Sequence, residues 1–314
     1  GVVQMRLWSW SMADKRGTHD YVEDLRNAEV LIYINGKFYP RQDATISVFD
    51  SGFLLGDGVW EGIRLHNGKF AFIDDHLDRL FAGAKALDMD IGKTRQELTD
   101  ALYATVEANG MTDGVHARLM VTRGPKKTPY QDPRLSLWGP TIVIIAEYKS
   151  QDLTPVEQGI KLFTVHVRRG HPDVQDPRLN SHSKINCITA MIQSYKAGAD
   201  EALMLDPHGF VSTCNSTNFF IVRKGEVWTS TGDYAMKGIT RQKTIDVCRM
   251  HGIPVFEKNF SLVDVYSADE AFVTGTFGAQ TPVIDVDGRS IGEGKPGPMV
   301  KRIRELYHAM AEIN

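Results

Sequence analysis

Residues 56–64 read GDGVWEGIR, and the fold turns on what that stretch is for. Its glycines let a backbone approach a ligand closely, and Arg64 offers a planar fork suited to phosphate oxygens. A tight turn followed by an arginine in a surface ion pair has the same composition, so the stretch gains meaning only beside two others. In 237-KGITRQKTIDV-247, Gly238 precedes Ile239 and Thr240 at the predicted start of a helix, where free N–H groups and the helix dipole favour an anion. In 274-TGTFGAQTPV-283, a strand runs into a turn rich in Gly and Thr, which brings hydroxyl and amide donors, Thr276 among them. Any one of the three also fits an ordinary turn or helix cap. All three suit the same anion.

Composition sets the class of chemistry. The 314 residues suffice for two modest domains or one large one, and 42% hydrophobic with 24% charged residues describes an ordinary globular chain. A net charge of −3 brings no basic excess for nucleic acid or an anionic membrane, so a small molecule is the expected partner. Cys187, Cys214 and Cys248 are widely spaced, which speaks against a disulfide framework and fits a reducing cytoplasm. No histidine falls at ligand spacing with a carboxylate or cysteine, so no metal is assigned. The apolar run 140-PTIVIIAEY-148 is too short to cross a membrane and reads as a buried strand.

Along the chain, residues 1–29 read as an N-terminal extension, with Met12 a plausible natural start. A small α+β domain is expected over 30–148. It opens with a hairpin around Asn35-Gly36 and continues with helices over 74–87 and 94–109 and strands over 115–124 and 140–148. Residues 149–155 are polar, contain a proline and read as a linker. A larger domain over 156–314 carries predicted strands at 160–167, 202–206, 218–223, 226–230 and 270–275, and helices at 184–197, 240–251 and 297–312. The reading is two α+β domains.

Taken in order, GDGVWEGIR, DHLDRL, RLMVTRG, AGADEALMLDPHGFVS, GITR, DEAFVTGT and PGPMVKRI resemble the fold-type-IV, or class IV, pyridoxal-phosphate aminotransferases, especially the branched-chain and D-amino-acid branches. The likeness runs from about Tyr33 to the C-terminus. It implies a two-domain fold whose larger domain, 156–314, binds pyridoxal 5′-phosphate, and a homodimer in which one subunit's small domain reaches the other's site. It further implies phosphate contacts from Arg64, Ile239, Thr240 and Thr276, with Gly238 beside them.

Two positions depart from the family pattern. The register of the family's Schiff-base lysine falls on Asn180, within 178-RLNSHSKINCITA-190, and asparagine has no amine. Lys184 lies four residues on, one helical turn if the segment is helical, and a flexible lysine stem can cover part of that distance. Lys184 is therefore taken as the catalytic amine, against the alternative of a solvated lysine at a helix start; Lys237, beside the phosphate element, is a weaker substitute. The glutamate that the resemblance places against the pyridine nitrogen is Thr213 here, which can hydrogen-bond that nitrogen but cannot hold its proton by charge.

On the substrate side, the resemblance puts Arg118 where it can meet a carboxylate, and Phe53, Trp60 and Phe277 are candidates for an apolar wall. The expected activity is transfer of an amino group between an amino acid or amine and a 2-oxo acid. Two rivals remain at this point: a lyase of the aminodeoxychorismate type in the same fold, and a non-catalytic descendant that binds a phosphate-bearing ligand.

Overall fold

The computed structural model describes residues 17–312 of the chain. The first part runs β1 (Tyr21–Val22), β2 (Leu31–Ile34), β3 (Lys37–Pro40), α1 (Ser51–Leu55), β4 (Gly58–His66), β5 (Lys69–Phe70), α2 (Ile73–Ala86), α3 (Arg95–Ala108), β6 (Val115–Thr122), β7 (Thr141–Tyr148) and β8 (Ser150–Gln151). There follow α4 (Thr154–Gln158), β9 (Ile160–Thr164), α5 (Pro172–Gln175), α6 (Ile185–Lys196), β10 (Glu201–Leu205), β11 (Val211–Cys214), β12 (Asn218–Arg223), β13 (Glu226–Thr229) and α7 (Ile239–Met250). The chain ends with β14 (Val255–Glu257), α8 (Leu262–Tyr266), β15 (Glu270–Gly275), β16 (Ala279–Val286), β17 (Arg289–Ser290) and α9 (Pro298–Ala311). Within the described residues these elements make an α+β molecule with two main sheets.

The smaller sheet has the order β3-β2-β7-β6-β4-β5 and is antiparallel throughout. Its first hairpin turns at Asn35 and Gly36, both with positive φ, the geometry that makes Asn-Gly a strong two-residue turn. Helix α2 starts with Asp74 and Asp75 against its positive end and buries Leu77, Leu80 and Ala84. Helix α3 starts with a full Thr94–Glu97 capping box. Their apolar faces share one core with Ile63, Leu119 and Ile144 of the sheet.

The larger sheet runs β11-β10-β9-β16-β15-β12-β13-β14, with β17 beside β16. Strand β9 is parallel to β10 and to β16, β13 is parallel to β14, and the other pairs are antiparallel. Helices α7 and α9 cover one face, with Ile245 and Ile303 packed against Phe220 and Phe272.

Three expectations change here. Residues 56–64 are neither a tight turn nor a free approach to a ligand along their whole length: from Gly58 onward they form β4, an inner strand flanked by β5 and β6. Its glycines serve close packing, since a Cβ on Gly58 would lie 2.7 Å from the Val121 carbonyl and 2.9 Å from the His182 ring. Residues 17–29 are more than an extension: β1 pairs with β8, and the buried Thr18 hydroxyl donates to Glu201 on β10. The expected linker accordingly carries β8 and the first residues of α4. Met12 lies outside the described residues.

Candidate active site

A cavity of about 860 Å³ opens between the two sheets. The small sheet contributes Trp60, Arg118 and Ile145 to its wall, α6 contributes Cys187, and the residue just before α6 is Lys184. The opposite wall is made by the end of β11 with the residues after it, the start of α7, and Thr274–Phe277 at the end of β15.

The amine end is set by residues 180–184, of which 180–182 lie along β4. Ser181 bridges Val59, the Trp60 N–H donates to the Asn180 carbonyl at 3.0 Å, and the His182 N–H donates to the Gly58 carbonyl at 3.0 Å. Asn180 and Lys184 are thus not one helical turn apart, because α6 begins only at Ile185 with Lys184 as its N-cap residue. The chain bends between them and brings the side chains together: Lys184 Nζ donates to Asn180 Oδ1 at 3.2 Å and lies 5.6 Å from the centre of the Trp60 ring. Burial pulls the Lys184 amine down to about 8, with Arg169, Arg79 and Arg118 adding repulsion and Cys187 opposing it.

The anion end is built on α7. No side chain caps this helix, and Gly238, Ile239 and Thr240 of its first turn line the cavity. Thr276 lines the cavity from the turn after β15, beside Thr274, whose buried hydroxyl has no hydrogen-bond partner among the described residues. Arg64 sits just behind this wall. Its guanidinium donates to the Lys149 carbonyl at 2.7 Å and lies 5.3 Å from the Phe277 ring centre, and burial lowers it to about 10. The structure therefore brings Lys184, Gly238, Ile239, Thr240 and Thr276 to one cavity, with Arg64 one layer back.

Thr213 also lines the cavity, on β11. Its hydroxyl donates to the Thr217 carbonyl at 2.8 Å and accepts from Asn218 Nδ2 at 3.3 Å, so its one proton is already engaged. Arg118 stacks on Trp60 with its guanidinium carbon 4.0 Å from the ring centre. Phe277 is on the wall, but Phe53 is not: it lies on α1, 69% exposed and away from the cavity. Lys237 is likewise exposed and off the wall.

Several wall residues were missed in the sequence. Arg79, the arginine of DHLDRL, pairs with the fully buried Glu61 at 2.7 Å, and His76 meets the same carboxylate at 2.6 Å. Burial works against the Glu61 charge, but these two partners outweigh it and hold the group below the usual carboxylate range. The network ties α2 to β4 and points Arg79 at the cavity. Arg241, 1% exposed, donates from Nη2 to Ser230 and Glu257, whereas its Nε and Nη1 have no partner among the described residues. His116 Nδ1 and Arg169 Nε, also of residues lining the cavity, are buried without partners among the described residues. Burial and the charges of Arg64, Lys149 and Arg118 push the His116 imidazole well below its ordinary value. Among the described residues the acid on the wall is Glu147, and it pairs with Arg41 at 3.3 Å, which leaves the cavity positive.

Comparison with known proteins agrees with this geometry. The family model described as amino-transferase class IV matches residues 58–286. The chain is similar to branched-chain-amino-acid aminotransferase-like protein 2 of Arabidopsis thaliana, 40% identical over 91% of this chain and 51% of that protein. It thus spans about half the length of that relative. It is 33% identical to the branched-chain-amino-acid aminotransferase of Pseudomonas aeruginosa, over 95% of this chain and 94% of that one. A solved structure of the T.th. branched-chain amino acid aminotransferase with pyridoxamine 5′-phosphate superposes with a TM-score of 0.85 at 30% identity, covering 91% of this chain and 95% of that one. From the match across most of its length and the cavity those shared segments enclose, the chain belongs to the class IV aminotransferases.

Proposed function

We propose that the protein is a pyridoxal-phosphate-dependent aminotransferase that moves an amino group between an amino acid or amine and a 2-oxo acid, with Lys184 as its reactive amine. One observation carries the reading: an uncapped helix start suited to a phosphate and a half-buried lysine amine share one positive cavity. The donor set fits the cofactor at two ends. Gly238, Ile239, Thr240 and Thr276 line the phosphate end, where the Thr274 hydroxyl lacks a partner, and Arg64 lies behind them. Lys184 Nζ reaches the cavity at the other end. In this reading Thr213 is the residue that meets the ring nitrogen, and the acid lining the cavity among the described residues, Glu147, is paired with Arg41.

When bound, pyridoxal phosphate supplies a carbonyl that accepts amines and a ring that spreads negative charge from the substrate carbon. The protein's own share is positioning and proton transfer. With a pKa near 8, Lys184 is neutral in a useful fraction of molecules near neutral pH, so its amine can take the proton from the substrate Cα and return it. Arg118, held flat on Trp60, offers two N–H groups to a substrate carboxylate. Phe277 and Ile145 keep the wall apolar and limit water around the proton in transit.

A homodimer belongs to the same proposal, supported by apolar side chains exposed over residues 46–55, including Ile46, Val48, Phe49 and Phe53. A cytoplasmic setting fits the three free cysteines. Among the described residues no helix is long and apolar enough to cross a membrane.

The decisive experiment adds pyridoxal phosphate to the purified protein, records the absorbance spectrum, reduces with borohydride and maps the modified peptide. The expected label is on Lys184. A label on another lysine, or tight binding with no label, would overturn the assignment, and the second outcome would leave a phosphate-ester binding role.

A further inference from the structure

Asn180 stands at the register where the family resemblance places a lysine, yet it is not an idle replacement. It is 4% exposed, and both ends of its amide are used. Nδ2 donates to the Trp60 carbonyl at 2.7 Å and Oδ1 accepts from Lys184 Nζ at 3.2 Å. These partners fix which way the amide points: turned over, it would set its oxygen against a carbonyl and its NH₂ against an amine. Its main chain is fixed as well, because its carbonyl accepts the Trp60 N–H at 3.0 Å. Trp60 therefore has both its N–H and its carbonyl satisfied by Asn180. The acceptor offered to the lysine hangs from an inner strand of the sheet and not from a mobile loop.

The other groups facing the amine supply no such acceptor. Cys187 lies on its own helix, Arg169 comes from the segment before α5, Arg79 from α2 and Arg118 from β6. Among the described residues no carboxylate lies within ion-pair distance of Lys184. A long lysine stem without an anchor samples many rotamers, and one hydrogen bond to a rigid acceptor selects among them. The choice of a neutral acceptor also has a consequence. A carboxylate at this place would hold the ammonium form, whereas an amide carbonyl positions the nitrogen and leaves burial to favour the neutral amine.

We propose that Asn180 is a positioning residue for Lys184: its side-chain carbonyl holds the amine in the cavity while its NH₂ ties that carbonyl to the strand carrying Trp60. This deepens the aminotransferase reading and rests on it for its catalytic meaning, but the contact can be tested without the cofactor. The readout is competitive acylation of the cofactor-free protein with acetic anhydride across pH 6–11, with the Lys184 peptide quantified by mass spectrometry.

For the unmodified protein the acylation curve has its midpoint near 8. In Asn180→Asp a carboxylate replaces the amide carbonyl, and the midpoint rises by about 1–3 pH units. A merely structural role for Asn180 would change melting temperature and leave this midpoint in place. An unchanged midpoint in folded Asn180→Asp would overturn the proposal. Should that variant fail to fold, Asn180→Ala decides: a tenfold or greater loss of pyridoxal-phosphate labelling at Lys184, with the near-UV circular dichroism retained, supports the contact, and unchanged labelling overturns it. If Lys184 takes no pyridoxal-phosphate label even in the unmodified protein while Asn180→Asp still moves the midpoint, the contact stands and the aminotransferase reading falls.

Discussion

Lys184 is charged in most lysine environments, and here its surroundings work against the charge. Folding lowers it from its ordinary 10.5 to about 8, so between those values the unfolded chain binds more protons than the folded one. The sign is therefore definite: the stability contributed by the neutral amine is fully present above 10.5 and is lost as pH falls through 8. Comparing the protein with Lys184→Met in urea at pH 7, 8, 9 and 10 isolates this effect. The difference in unfolding free energy should move in favour of the lysine as pH rises, by no more than about 1.4 kcal/mol per pH unit. A difference that stays flat across that range would mean the amine is solvated. At this scale, motif order singled out Lys184, Thr213 and the residues of the phosphate elements, and the structure sets Lys184, Thr213, Gly238, Ile239, Thr240 and Thr276 around one cavity. What the sequence could not show was the bend at residues 181–184, because the expected helical register put Asn180 and Lys184 a turn apart, whereas the extended path along β4 places them in contact.

Helices and hairpins announced themselves through spacing and caps. The α2 face, the Thr94 capping box and the Asn35-Gly36 turn all agree with local chemistry, and their ends fall within a residue or two of expectation. Strand β4 did not, because glycines at 58 and 62 break the period-two pattern for reasons of close packing that exist only after folding. The start of α7 shows how tightly such a place is built. A Cβ on Gly238 would collide with Asn218 Oδ1, the amide whose NH₂ holds Met236 and Thr213. Gly238→Ala should cost about 1–3 kcal/mol through overpacking and push Asn218 toward the cavity. Thermal unfolding with and without pyridoxal phosphate checks both halves: a lower melting temperature, and a smaller rise on adding the cofactor. A variant with the parental melting temperature and the parental rise would show that the helix start tolerates a methyl group.

For the whole molecule, an α+β class with two sheets followed from the alternation of strand and helix signals, but the cavity between the sheets had no signature in any one segment. Its wall draws on β4, β6, α6, β11, α7 and the end of β15, spread over more than 200 residues between Trp60 and Phe277. Arg169 and His116 gained their place only when those elements met, and Arg241, though it closes the GITR motif, showed its unpartnered guanidinium atoms only in the fold. The same separation of local and global signals bears on assembly. Phe53 read as a pocket residue on grounds of apolarity alone. It lies instead on the outer surface with Val48, which is 67% exposed, and with Phe49 and Ile46. Four apolar side chains within eight residues leave an exposed patch that water disfavours, and a second copy meeting it would remove that area from solvent at about 25 cal/mol per Å². Light scattering during gel filtration should therefore give a mass near twice 35.1 kDa at micromolar concentration. Replacing Val48 and Phe53 together by lysine puts two like charges into each copy's contact and should return the mass to that of one chain, with the circular dichroism spectrum preserved. A protein that is already monomeric before substitution, or a double variant that keeps the doubled mass, would place the apolar segment outside any dimer interface.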